Sequence, residues 1–157
     1  MQGLYFWGPS LIVDVVKALG LDIGQKTIGL AITDDVAIAA HPVGVIDRSG
    51  TDNDVSAIQT LVAERDITDI VFGMPFELSG KIGHRARRVM ELVDVLKAAL
   101  PALKFHEQDE RFTTAEATRV LIDADLSRDK RKEVIDQQAA TLILQGWLAS
   151  YKRQSNV

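Results

Sequence analysis

Two kinds of hydrophobic pattern divide this chain into strands and helices. Residues 17–23 and 27–33 are short apolar runs joined by the turn residues Gly24-Gln25-Lys26, as in a hairpin. Between residues 82 and 100, apolar side chains instead recur at helical spacing, and Pro101 ends that pattern. The pattern predicts strands over residues 17–23, 27–33, 36–46, 68–75 and 103–110, and helices over residues 55–65, 82–100, from Thr113 onward, and 130–151.

Three strands followed by alternating helices and strands predict an α/β fold, a five-stranded mixed sheet with helices on its faces. The 157 residues suffice for one such domain, which we place at residues 17–151. Residues 152–157 form a tail, and residues 1–16 are an extension outside the fold, consistent with a misassigned start. No apolar run approaches the roughly 20 residues that span a bilayer, so we expect a soluble, cytoplasmic protein with no membrane partner.

Composition narrows the chemistry that the chain can perform. The chain has no cysteine, which excludes a disulfide framework, a zinc–thiolate site and a thiol nucleophile. The formal net charge of −4 argues mildly against a general nucleic-acid coat protein. An acidic protein can still carry a local basic face, so the net charge does not settle whether this chain binds nucleic acid.

Asp22 lies in the middle of the first apolar run, where a bare buried charge would be very costly. Side chains alternate along a strand, so Asp22 shares a face with Gly20, while the bulky leucines lie on the other face. Gly29, on the second strand, likewise adds no side chain to the face that Asp22 occupies. This gap leaves room for a helix, a ligand or hydrated ions. Spacing alone does not choose between a cation site and a carboxylate satisfied by backbone donors.

Further acidic residues favour the cation site. Asp109 and Glu110 end the fifth predicted strand, at the usual ligand end of an open α/β sheet. Asp136 shares a helical stripe with small and apolar residues, a poor surrounding for an unpaired charge. Carboxylates that meet cannot all stay ionised without a cation, and an all-oxygen ligand set favours Mg²⁺ or Mn²⁺. Two such ions can drive phosphodiester hydrolysis.

Four segments of the chain together resemble one family. "GLDIGQKTIGLAITD", "VFGMPFELSG", "DERFTT" and "DQQAATLILQGWL" stand in the order, and at about the spacing, of the YqgF/RuvX family. Its members are described as Holliday junction resolvases and as pre-16S rRNA processing nucleases. The resemblance covers residues 17–151 and implies an RNase H-like fold, which agrees with the predicted strands.

The resemblance also assigns site residues. It implies catalytic, metal-binding roles for Asp22, Glu110 and Asp136, with Asp109 beside Glu110 as a further ligand. We prefer Glu110 over Asp109 because its longer side chain reaches further from a strand end. The implied cofactor is Mg²⁺ or Mn²⁺ in a two-metal site. One departure concerns the turn, where the family often has Lys-Arg and this chain has Lys26-Thr27.

Basic residues supply candidate contacts to nucleic acid. "KIGHRARR", residues 81–88, has no acid and follows a glycine-containing loop that we interpret as a mobile flap. Lys132 lies near the start of the last predicted helix, where the helix dipole disfavours cations, and one turn before Asp136. Arg111 could pair with a carboxylate or a phosphate, and Thr113 could cap a helix or orient the scissile phosphate. The predicted nucleic-acid contacts are Lys26, Lys81, Arg85, Arg88, Arg111, Thr113 and Lys132.

The leading interpretation is a metal-dependent nuclease that processes the 5′ end of pre-16S rRNA. The alternative substrate is branched DNA, since nothing in these residues clearly reads a 2′-hydroxyl. A resolvase should be a homodimer in order to cut two strands, yet the sequence offers no clear dimer surface. Two other classes stay open: a non-catalytic nucleic-acid-binding module, and a kinase or actin-like ATPase. The latter needs two such domains, and this chain shows one and no repeat.

Overall fold

A computed structural model describes residues 15–110 and 128–155, with side chains from residue 134 to residue 154 in the last segment. The predicted helix opening at Thr113 lies outside these residues. The described elements follow the predicted order, with small shifts at their ends. They are β1 (Ala18–Ile23), β2 (Thr27–Thr33), β3 (Ala40–Asp47), α1 (Thr51–Arg65), β4 (Asp69–Met74), α2 (His84–Ala99), β5 (Lys104–Asp109) and α3 (Arg128–Ser155).

The five strands form one mixed sheet in the order β3-β2-β1-β4-β5, which confirms the predicted α/β architecture. β2 runs antiparallel to both β1 and β3, whereas β1, β4 and β5 run parallel. The carboxyl ends of β1, β4 and β5 therefore meet at one edge of the sheet. We call this edge the carboxyl edge.

Each face of the sheet has its own core, as the alternation of side chains requires. The bulky residues of β1, β2 and β4 pack with α1 and α2, and Leu21, Ile28, Ile58 and Leu96 are fully buried there. The small-residue face packs against α3, whose Ala140 and Ile143 are fully buried. Helices on both faces are thus confirmed. In the described part of the chain, no helix has both the length and the apolar character needed to cross a membrane.

The prediction that β3 begins at residue 36 was wrong, because the side chain of Asp34 builds a turn there. Its two carboxylate oxygens accept hydrogen bonds from the backbone N–H groups of Ile38 (2.7 Å) and Ala39 (3.2 Å). Ala37 takes a left-handed conformation with φ 56°. These backbone bonds to Asp34 lower its pKa, chiefly through Ile38. The strand therefore starts only at Ala40.

Candidate active site

Helix α3 fills the space that Gly20 and Gly29 leave above the sheet. Asp22 pairs in register with Gly29 of β2, and only 9% of it is exposed. A Cβ at Gly29 would collide with the backbone carbonyl oxygen of Asp136. A Cβ at Gly20 would lie 2.8 Å from the Cβ of Leu144. The helix thus packs directly on the backbone of β1 and β2, and Asp22, the partner of Gly29, lies under the part of α3 that contains Asp136.

Asp136 is held to the sheet by its side chain as well as by its backbone. The hydroxyl of Thr27, the first residue of β2, donates a hydrogen bond of 2.6 Å to Oδ2 of Asp136. These residues are 109 positions apart in sequence, so this bond joins the hairpin to the final helix. The carboxylate of Asp136 therefore lies beside the turn that follows β1, at the carboxyl edge.

Glu110 and Asp109 lie on opposite sides of the sheet. A Cβ at Gly73 would be 2.5 Å from Oε1 of Glu110 and 2.5 Å from the Cδ1 of Ile143, so Glu110 lies on the α3 side. Asp109 pairs in register with Met74, which belongs to the core under α1 and α2. The contact at Gly73 therefore places Glu110 on the side of Asp22 and Asp136, whereas the pairing with Met74 places Asp109 on the other side.

Asp22, Glu110 and Asp136 share the α3 side of the carboxyl edge. Their oxygen donors are the ligand type that Mg²⁺ and Mn²⁺ prefer. Where side chains are described, residues 15–110 and 134–154, no three Asp, Glu or His side chains lie close enough to hold an ion. The roles of Asp22, Glu110 and Asp136 as metal ligands stay predictions.

An ion pair between partly exposed Arg48 and buried Asp54 braces the turn between β1 and β2. Arg48 donates from Nε to Oδ2 of Asp54 (2.9 Å) and from Nη1 to the carbonyl oxygen of Gly24 (2.9 Å). Asp54 is only 1% exposed and also accepts a bond from the N–H of Ser49. The backbone N–H of Arg48 donates to the carbonyl of Lys26 at 2.8 Å. Sequence reasoning missed this brace, whose only signal was a polar cluster, "DRSGTDND", after a strand.

Removing this brace should destabilise the whole domain. Arg48→Ala leaves the carboxylate of Asp54 buried without its guanidinium, a change that typically costs about 3–5 kcal/mol. We expect the free energy of unfolding, measured by urea titration, to fall by about that much. Arg87→Ala, which removes an exposed arginine from α2, should change it by about 0.5 kcal/mol or less. Equal stability of the two variants would show that the pair does not brace the fold.

The described candidate cations lie along the same edge as the acids. Lys26 is exposed in the turn after β1, and Lys81, Arg85 and Arg88 follow the carboxyl end of β4. Within the described part of the chain, neither the Arg48–Asp54 ion pair nor the His106–Asp69 contact includes any of these four cations. The predictions for Arg111 and Thr113, and for the side chain of Lys132, lie outside what the structure describes.

The loop before α2, which we interpreted as a flap, contains a hydrogen-bonded turn. The backbone N–H of Gly80 donates to the carbonyl of Glu77 (2.8 Å), and that of Glu77 donates to the carbonyl of Lys81 (3.1 Å). The side chain of Leu78 at its tip is 92% exposed. This loop follows the carboxyl end of β4, so it begins at the edge of the sheet that carries the acids.

A cavity of about 660 Å³ lies at the opposite edge of the sheet, where β4 and β5 begin. Its lining includes Asp69 and His106, whose side chains form a 2.7 Å hydrogen bond, and Tyr151 of α3. The ring of His106 also packs on Trp147 at 4.8 Å between centroids. None of the predicted acids lines this cavity, so the site predicted from sequence is a separate surface.

Comparison with known proteins decides the family. The model of the RuvX family, described as "Holliday junction resolvase", matches residues 16–150. The chain belongs to the RuvX family. The resemblance read from four motifs is thereby confirmed.

Curated relatives agree with this membership. A protein of Myxococcus xanthus named "Putative pre-16S rRNA nuclease" is 39% identical over 137 residues, which cover 87% of this chain and 90% of that protein. A protein of Desulforudis audaxviator with the same name is 38% identical over 143 residues, covering 90% and 99%. The match therefore extends over nearly the whole length of both proteins.

Solved structures confirm the predicted RNase H-like fold of the RuvX chain. Thermus thermophilus RuvC in complex with Holliday junction substrate superposes with a TM-score of 0.57 at 10% identity, covering 87% of this chain and 96% of that one. Fowlpox virus resolvase with junction DNA gives 0.52 at 13% identity, covering 87% and 99%. At these identities the likeness concerns the fold alone.

Proposed function

We propose that this RuvX-family protein is a metal-dependent nuclease that processes the 5′ end of pre-16S rRNA in the cytoplasm. The observation that carries the proposal is a buried Asp22 on a strand that α3 covers, with Asp136 and Glu110 on the same side of the same edge. A buried carboxylate that shares one side of a sheet edge with other acids is typical of a site that handles cations. The names of the relatives and of the family support the same reaction class.

The acids on the α3 side would hold the ions. Asp22, Glu110 and Asp136 would bind Mg²⁺ or Mn²⁺, while Asp109, on the other side, would not be a principal ligand. When bound, two such ions activate water and stabilise the leaving oxygen of a phosphodiester. Asp22 is fixed by its strand, and Asp136 is oriented by Thr27, so the protein sets where the phosphate must lie. The products would carry a 5′-phosphate and a 3′-hydroxyl.

Branched DNA is the second candidate substrate, and the description of the family as a Holliday junction resolvase favours it. Cutting two strands of a four-way junction symmetrically would require a homodimer. Trimming one end of an RNA would not. The oligomeric state in solution therefore bears on the substrate.

A direct comparison of substrates tests the proposal. End-labelled RNA with a 5′-extended 16S end and a labelled four-way DNA junction would each be incubated with the protein in Mg²⁺ and in Mn²⁺. Preferential cutting of the RNA supports rRNA processing, and symmetric cutting of the junction supports a resolvase. Binding of either substrate without cleavage in either ion would instead indicate a non-catalytic binding module.

The basic start of α2 should help to bind nucleic acid through its phosphates. Arg85 is exposed in the first turn, where the backbone N–H groups at the helix start also favour phosphate. Log affinity falls as log salt rises, and removing one cation that binds a phosphate should make this slope shallower by about 1. We expect this decrease for Arg85→Ala in a filter-binding titration in Ca²⁺. Lys97→Ala, which removes an exposed cation at the other end of the same helix, should leave the slope unchanged.

A further inference from the structure

We propose that Thr27 is a positioning residue for Asp136, and that its hydroxyl sets the affinity of the site for a divalent cation. This inference rests on the proposed function, because it takes Asp136 to be a metal ligand. It assigns a role to Thr27, which has no carboxylate and which would act on the ion only through Asp136.

The hydrogen bond has the direction and length expected of a hydroxyl donating to a carboxylate. An ionised carboxylate only accepts, so the Thr27 hydroxyl must be the donor. The 2.6 Å separation between Oγ1 and Oδ2 lies in the range of hydroxyl bonds to a charged oxygen. It engages Oδ2 and leaves Oδ1 of Asp136 for another partner. Because a hydroxyl carries no charge, Thr27 orients the carboxylate without neutralising it, whereas a lysine or arginine at this place would neutralise it.

The backbone around Thr27 is held on both sides. Its carbonyl accepts a 2.8 Å bond from the N–H of Gly24, which closes the turn, and its neighbour Lys26 accepts one from Arg48. Arg48 is itself anchored on buried Asp54. The side chain of threonine is branched at Cβ, so few χ1 rotamers are available to it. The position of the Thr27 hydroxyl is thus fixed by the backbone that carries it and by its bond to Asp136.

Proteins set the affinity of metal sites partly through hydrogen-bond donors that hold the ligating side chains in place. Partners that hydrogen-bond to ligating carboxylates orient them, and mutating such a partner typically weakens metal affinity or activity about 10–100-fold. Here the carboxylate lies on α3 and its partner lies on β2. The bond therefore sets where the carboxylate points and ties this part of α3 to the start of β2.

The test compares three variants of the full chain by calorimetric titration with Mn²⁺, without nucleic acid. Thr27→Val keeps the shape and removes the donor, and we expect the Kd for Mn²⁺ to rise at least tenfold. Thr27→Ser keeps the donor and should bind within about threefold of wild type. Thr60→Val is the matched control, because the Thr60 hydroxyl bonds only within exposed α1, to the carbonyl of Ser56. It should bind as wild type does.

A purely structural role for Thr27 predicts a different pattern. Thr27→Val would then lower the unfolding midpoint and leave the Kd of the folded protein unchanged, which would overturn the inference. If Thr27→Val does not fold, Thr27→Ala, which removes the hydroxyl without filling its space, carries the same comparison. If wild type binds Mn²⁺ and Asp22→Asn does not, unchanged binding by Thr27→Val overturns only the role of Thr27. Wild type that binds no Mn²⁺ overturns the metal site and this inference together.

Discussion

Asp22→Asn protein is expected to fold and to lose cleavage by on the order of a thousandfold or more. The substitution preserves shape and removes the charge that would hold a cation at the carboxyl edge. Metal ions supply several kcal/mol of transition-state stabilisation, and about 4 kcal/mol corresponds to a thousandfold in rate. Because Asp22 is only 9% exposed, its carboxylate is shielded from bulk water, which raises the value of that charge. The measurement is the initial rate on end-labelled substrate.

The control for this variant is Asp35→Asn, which removes an exposed carboxylate from the turn after β2. It should cut at the wild-type rate. Circular dichroism and urea unfolding must show that Asp22→Asn is folded, since only then does its rate report on chemistry. A folded Asp22→Asn protein that cuts at the wild-type rate would show that Asp22 is structural.

Gly29→Ala is expected to have the largest effect on stability after the Arg48 brace, and to reduce cleavage as well. The added Cβ would meet the backbone carbonyl of Asp136, and β2, which is paired on both sides, cannot shift locally without breaking backbone hydrogen bonds. Overpacking of this kind costs typically about 1–3 kcal/mol, and a backbone-to-backbone clash belongs at the upper end. Pushing α3 outward also moves Asp136 from Asp22, so the cleavage rate should fall together with the unfolding free energy.

Gly146→Ala gives a matched comparison in the same layer. Its Cβ would lie 3.1 Å from Nε2 of Gln108, the far end of a flexible side chain that can turn away. Replacing glycine by alanine inside a helix also gains up to about 1 kcal/mol of helix propensity. We therefore expect Gly146→Ala to be neutral or stabilising in urea unfolding. If Gly29→Ala were equally harmless, the close packing of α3 on β2 would not be as described.

The alternation of side chains predicted much of this architecture. It placed Asp22 on a different face from its bulky neighbours. The small residues on the face of Asp22 proved to be where α3 packs. The preference for Glu110 over Asp109 came from side-chain length, because β5 ends at Asp109 and alternation along the strand does not extend to Glu110. The start of β3 could not be read this way. Val36 and Ile38 have the composition of a strand, but the Asp34 carboxylate offers the backbone a competing turn.

Interactions between distant parts of the chain were beyond the reach of periodicity. The bond from Thr27 to Asp136 and the pair of Arg48 with Asp54 depend on how the hairpin, α1 and α3 come together in space. A hydrophobic pattern reports which side of an element is buried, not which polar groups meet there. The candidate acids were identified from the resemblance and the pattern together, and their roles as ligands stay predictions.

The measurement that tests the central claim most directly is cleavage of end-labelled 5′-extended 16S RNA by the wild-type protein, with and without divalent cation. The account predicts a product that forms in Mg²⁺ or Mn²⁺, disappears with EDTA, and carries a 5′-phosphate on one fragment and a 3′-hydroxyl on the other. A product that persists in EDTA, or one ending in a 2′,3′-cyclic phosphate, would contradict it, because either would mean chemistry that does not use cations held by Asp22, Glu110 and Asp136.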